Sequence, residues 1–211
     1  RLVGSEMCIR DSNAYVEFNL SDYDKKDSEL IYYSSVEEAI LNSPLNTENE
    51  EFSVPEDYLN HVDEILHIWN GKQYDTIFYR AGSDNDPVQG FVMARCKKQV
   101  EEATVQYAFM NATPVTTKAD SILISDITEL IHSSLKLSDF QQDLNPNYPD
   151  TRFVFGYAHD KEIYSLEVEG QKPDGVIEIN VYDRTMYLWY YDDLKSDKRG
   201  NNLSYSVDMP E

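Results

Sequence analysis

Apolar and aromatic side chains fall into short runs separated by turn-forming residues, and most of these runs carry a two-residue period. Ile65, Leu66, Ile68 and Trp69 lead into Asn70-Gly71, and Tyr74, Ile77, Phe78 and Tyr79 follow. An Asn-Gly pair tolerates positive φ at both central positions of a two-residue hairpin turn. The pattern therefore predicts strands over residues 63–69 and 72–80 joined at Asn70-Gly71. Two further β-branched or aromatic runs, 90–98 and 104–111, flank the polar stretch Gln99–Glu102 and predict a second hairpin. The last third reads as a meander, with strands at 152–158, 162–169, 175–182 and 185–191.

Two stretches depart from this period. Ile127, Leu130, Ile131 and Leu135 recur at helical spacing behind Asp126, a good cap with Glu129 three positions on, and predict a helix over 125–137. Ser35 precedes Val36-Glu37-Glu38-Ala39-Ile40-Leu41, with Glu38 placed to reach back to the cap; Asn42-Ser43-Pro44 ends this shorter helix. The fold class predicted is α+β, mainly antiparallel β in two hairpin or meander halves, with two or three helices. A single domain is expected over 34–191, divisible into lobes of about 34–120 and 121–191. Residues 13–33 read as an acidic linker or extended lead-in, and 192–211 as a polar tail whose Leu203–Val207 could add an edge strand.

Composition narrows the function classes. The chain has 211 residues, with 39 acidic side chains against 18 basic, for a net charge of −21. That balance repels phosphate backbones and anionic lipid, so direct nucleic-acid binding and polybasic membrane attachment are excluded. No apolar run approaches the length of a membrane span.

The opening Arg1-Leu2-Val3-Gly4-Ser5-Glu6-Met7-Cys8-Ile9-Arg10-Asp11-Ser12 resembles a translated sequencing-adapter tail. Residues 1–12 are therefore set aside from fold reasoning and expected to be dispensable. Cys96 then stands as a single cysteine without an internal disulfide partner. Its alternation with Val92 and Ala94 predicts a buried structural thiol, although Arg95, Lys97 and Lys98 are of the sign that favours a thiolate.

The order of elements carries a resemblance. Tyr33-Ser34-Ser35-Val36-Glu37-Glu38-Ala39-Ile40 is followed by Tyr74-Asp75-Thr76-Ile77-Phe78-Tyr79 and Gly90-Phe91-Val92-Met93-Ala94. Then come Phe153-Val154-Phe155-Gly156, Asp160-Lys161-Glu162-Ile163 and Tyr187-Leu188-Trp189-Tyr190. Over residues 31–191 this resembles small lipoprotein-like envelope proteins of Bacillus-like Gram-positive bacteria. The resemblance implies a cell-envelope or extracellular location, with any membrane attachment through an anchor outside this chain. It brings no catalytic or binding residues.

No catalytic, cofactor-binding or metal-ligating set emerges from the residues. His61, Glu64 and His67 invite a metal, but on a strand the two histidines lie roughly 20 Å apart. On a helix the three spread over more than a turn. Asp84-Asn85-Asp86 opens like a calcium loop, yet the next ligand position falls at Val88. Hydrolase elbows, phosphate loops and zinc helices are missing.

Tyrosine is the distinctive excess, at 16 residues. On a strand, Tyr187, Trp189 and Tyr191 share one face, which is either core or an aromatic recognition stripe. The expectation is a non-enzymatic envelope domain that binds a protein or cell-wall ligand with a basic rim, Tyr187, Trp189 and Tyr191 forming the interaction face. The alternative is an acidic cytosolic inhibitor, an immunity protein or nucleic-acid mimic, that blocks a basic site on its partner.

Overall fold

The computed structural model describes residues 8–11, 29–43, 57–71, 73–83, 85–118, 154–182, 184–198 and 202–208. These form mainly antiparallel β-sheet with few helical segments. The chain divides into two compact units, residues 17–143 and residues 1–16 with 144–211. The division falls at Asp143/Leu144, later than the lobe boundary near 120 expected from the pattern. The helix expected over 125–137 lies outside the described residues, as does most of the expected linker.

In the unit of residues 17–143, strands β2 (Glu64–Asn70), β3 (Tyr74–Ala81), β4 (Val88–Glu101) and β5 (Thr104–Lys118) pair in sequence order as an antiparallel meander. One face carries Ile77, Tyr79, Ala81, Val92, Ala94, Cys96 and Phe109. Helix α1 (Val36–Leu41) adds Val36, Ala39 and Ile40 to this core. Ser35 caps it by accepting the Glu38 amide at 3.2 Å, while the Glu38 carboxylate accepts the Ser34 amide and hydroxyl at 3.2 and 2.8 Å. The capping box thus closes one residue further back than the sequence suggests. At the other end of α1, buried Asn60 donates to the carbonyls of Ile40 and Ser43 and so ties the helix end to the segment before β2.

The turn at Asn70-Gly71 needs correction. The hairpin exists, but Asn70 pairs with Asp75, and Gly71 donates to the Tyr74 carbonyl at 2.9 Å. The connection is longer than two residues, and neither Asn70 nor Gly71 adopts positive φ. The Asp75 side chain adds a second, longer contact, accepting from the same Gly71 N–H at 3.2 Å beside the main-chain bond to Tyr74. The two-residue turn with both φ values positive lies instead at Glu102 (46°) and Ala103 (71°), closed by the Glu101–Thr104 pair.

In the other unit the sheet order is β1 (Cys8–Asp11), β6 (Val154–Ala158), β9 (Arg184–Tyr191), β8 (Gly175–Val181), all antiparallel. Cys8–Asp11, set aside above as part of a foreign tail, is the outer strand on β6. Ordering its four residues costs about 4–8 kcal/mol of backbone entropy. A ladder of this length returns about 2–6 kcal/mol. By itself this pairing is near balance.

The strand expected over 162–169 is a short 3-10 helix, Lys161–Ser165, followed by the two-residue β7 (Glu167–Val168). Ile163 and Leu166 are buried three positions apart, which suits three residues per turn, and Tyr164 between them points outward. β7 pairs with β10 (Tyr205–Ser206), and Glu169-Gly170 turns the chain back with both φ values positive. Val154, Ala158, Ile163, Leu166, Val168, Trp189, Tyr191, Leu194 and Leu203 form this unit's core. The segment after β9 is therefore a core element, through Leu194 and Leu203, and not simply a loose tail.

Candidate functional site

The aromatic stripe on β9 divides. Trp189 is 0% exposed and Tyr191 2%, both within the core just described. Their rings meet edge to face at 6.0 Å. The Tyr191 hydroxyl accepts the Val168 amide at 3.1 Å and donates to the Gln171 carbonyl at 2.7 Å, so it ties the β7 turn to the sheet. Burial pushes the Tyr191 hydroxyl up to about 12. Tyr187, Trp189 and Tyr191 do share a face, but that face is covered, and two of the three are unavailable to a ligand. The cover comes from the 3-10 turn, β7 and the segment carrying Leu194 and Leu203. Strand alternation reveals which side chains share a face, not what lies over it.

Tyr187, at the margin of this face, is half-buried and meets a residue that the sequence reading passed over. Tyr164, 55% exposed, packs edge-on against it with centroids 5.6 Å apart. Burial raises the Tyr187 hydroxyl above its ordinary value, and Glu178, Tyr164, Glu162 and Asp160 raise it further. Glu178 is the cross-strand partner of Tyr187, and Ala158 flanks it on β6. Asp160, Glu162 and Tyr164 arrive on the turn and 3-10 helix that follow β6. The result is an aromatic pair, Tyr164 exposed and Tyr187 half-buried, bordered by three carboxylates. Tyrosine ring faces and carboxylates both attract cations. The three-residue period of the helix, which turns Tyr164 out while Ile163 goes in, was the signal that could have found this patch.

The histidines and the carboxylate considered for a metal make separate local contacts. His61 pairs with Asp57 at 3.2 Å, Glu64 with Arg80 at 2.6 Å, and the His67 ring lies edge-on to Trp69 at 4.6 Å. Burial lowers His67, favouring its neutral form. Among the described residues no group of His, Cys, Asp and Glu is placed to share an ion.

Asp75 is buried in a pair with Lys98 at 2.7 Å, and Lys98 also donates to the Gly71 carbonyl at 2.5 Å. Desolvation nevertheless raises the Asp75 carboxyl against the pull of Lys98. Its neighbour Cys96 is fully buried, and burial followed by the Asp75 charge pushes the thiol up to about 12. The nearby basic residues do not make it a thiolate. Arg95, on the opposite sheet face, lies over the Tyr74 ring at 3.9 Å.

Asp192 is pushed up to about 6 by burial, then by Asp174 and Asp193; its amide donates to Asp174 at 2.7 Å, and Lys195 holds Asp193 at 2.9 Å. Comparison with protein-family models, with curated proteins and with solved structures finds no match.

Proposed function

We propose that the chain is a non-enzymatic binding domain of the bacterial cell envelope, taking a protein or cell-wall ligand with a basic rim. The observation that carries this reading is the Tyr164–Tyr187 pair bordered by Glu162, Glu178 and Asp160. A lysine or arginine side chain from a partner would lie against the exposed ring, with its charge among the carboxylates. The net charge of −21 would speed encounter with such a partner and make association slow as salt rises. The envelope location is supported by the sequence resemblance over residues 31–191. No helix among the described residues is long and apolar enough to cross a membrane.

The same charge favours a second reading, an acidic cytosolic inhibitor occupying a basic site. Fractionation of the source cells separates the two, because an envelope domain accumulates in the membrane and wall fractions and an inhibitor in the cytosol. The site itself is tested by titrating the protein with a short lysine-rich peptide while following the tyrosine ring signals by NMR. Shifts centred on Tyr164 and Tyr187, lost in Tyr164→Ala and fading as salt rises, are expected. Shifts spread evenly over the acidic surface, unchanged by Tyr164→Ala, would refute the site.

A further inference from the structure

We propose that the outer edge of β6 is an acceptor for an extended strand supplied in trans by a partner protein, with a basic residue at that strand's N-terminal end. Three observations carry this. First, the edge is preformed. Val154, Phe155, Gly156 and Ala158 are buried, and β6 is anchored on its other side by β9 over the whole register from Val154–Tyr191 to Ala158–Tyr187. Its outward amides and carbonyls are therefore held in the geometry that an incoming main chain requires.

Second, a strand is already seated there. Cys8–Asp11 adds antiparallel, with Cys8 opposite Tyr157 and Asp11 opposite Val154. It comes from the opposite end of the sequence, is four residues long, and its ordering cost nearly balances its hydrogen bonds, so it is exchangeable.

Third, the antiparallel direction places the N-terminal end of the seated strand toward Ala158. From there the chain runs into the turn and 3-10 helix bearing Asp160, Glu162 and Tyr164. An incoming strand in the same register brings its N-terminal flank toward this acidic and aromatic patch, which favours lysine or arginine there. The choice of a basic flank rests on the patch reading given above; the acceptor edge does not. Main-chain pairing tolerates many side chains but demands free amides, so the partner segment is extended and free of proline.

The test uses the full chain carrying Ile9→Pro and Arg10→Pro. Successive strand amides point to opposite sides, so the double change removes a donor from the β6 side in either phase. Hydrogen exchange of the β6 amides that point away from β9 should accelerate about tenfold or more. A synthetic peptide of residues 5–13 with Cys8→Ser, added in trans, should restore protection. The same peptide carrying both prolines should not.

Unchanged β6 protection in the variant, or no restoration at millimolar peptide, would overturn the proposal. So would loss of folding in the variant, since the strand would then be an integral part of the sheet; the unaltered chain gives an independent reading, because it must exchange its own strand for labelled peptide. A lysine added at the peptide's N-terminus should tighten binding about threefold, and Asp160→Asn with Glu162→Gln should remove the gain. If the parent peptide binds but the lysine brings no gain, the basic flank and the patch reading fail while the acceptor edge stands.

Discussion

The two units both hold a four-stranded antiparallel sheet, but they assemble it differently. β2 to β5 follow one another along the chain, each pairing with the next, and one helix covers part of one face. The sheet built on β6, β9 and β8 takes its outer strand from the beginning of the chain. Its core is completed by a 3-10 turn, a two-residue strand and a segment with little regular structure. In the first sheet, contacts are local and written in the alternation of neighbouring runs. In the second, irregular segments do the covering, and the sequence pattern reads them as a strand over 162–169 and a polar tail from 192. The functional consequence lies on β9: the aromatic face expected to be the interaction face is core, and the partly exposed Tyr164–Tyr187 pair sits at its margin.

The sharpest way to break this comparison is to hollow out the second core from its two sides. Trp189→Ala removes a fully buried indole and should cost about 3–5 kcal/mol. Leu194→Ala, in the segment after β9, should cost about 2–4 kcal/mol, because Leu194 is also fully buried. Chemical denaturation followed by tryptophan fluorescence measures the Leu194 effect, and circular dichroism both. A cost below about 0.5 kcal/mol for Leu194→Ala would return the segment to the status of a surface tail.

That contrast explains what was legible. The four strands between 64 and 118 could be read because Ile77, Tyr79, Val92, Ala94 and Cys96 alternate with residues of the opposite face over long runs. β8 and β9 were legible for the same reason. Their neighbours were not: Ile163 and Leu166 carry a period of three over too few residues to be told from a strand. Leu194 is an isolated apolar residue in polar surroundings, and a single residue has no period, whereas the alternation over Leu203–Val207 does mark the short strand β10. Pairing across most of the chain, as between β1 and β6, leaves no local pattern at all. The Tyr164–Tyr187 patch was half legible, since Tyr187 was singled out, but its partner came from the misread turn.

The acid response should distinguish the units next. Asp192, pushed up to about 6, sits beside Asp174 and Asp193 in the unit of β6, β8 and β9. Its folded state holds a proton more tightly than the unfolded chain does. The associated stability is therefore fully present below about pH 4 and is lost as pH rises through about 6. Asp192 is half-buried, so solvent screening still reduces the contribution to about 1 kcal/mol. Asp192→Asn should flatten the stability profile of the chain between pH 4 and 7 by that amount. An unaltered slope would mean that the carboxyl is fully hydrated.

The smallest effect expected is a gain, and it belongs to the legible sheet. At the β4–β5 turn, Glu102 and Ala103 hold φ values of 46° and 71°, a region in which a Cβ crowds the following carbonyl. Asn-Gly is the pair that this turn favours, yet the chain's Asn-Gly lies at the β2–β3 connection, where Asn70 is a strand residue paired with Asp75. Glu102→Asn with Ala103→Gly should therefore stabilise by about 0.5–1 kcal/mol: relief of strain at two residues outweighs the added freedom of glycine in the unfolded chain. Moving Asn-Gly out of the first turn, by Asn70→Asp and Gly71→Ala, should cost little, because the amide at 71 keeps its bonds to the Tyr74 carbonyl and the Asp75 carboxylate. Denaturation midpoints of the two double variants measure both. If the exchange at 102–103 destabilises while that at 70–71 unfolds the protein, the turn chemistry first read from the sequence holds and the assignment drawn from the φ values fails.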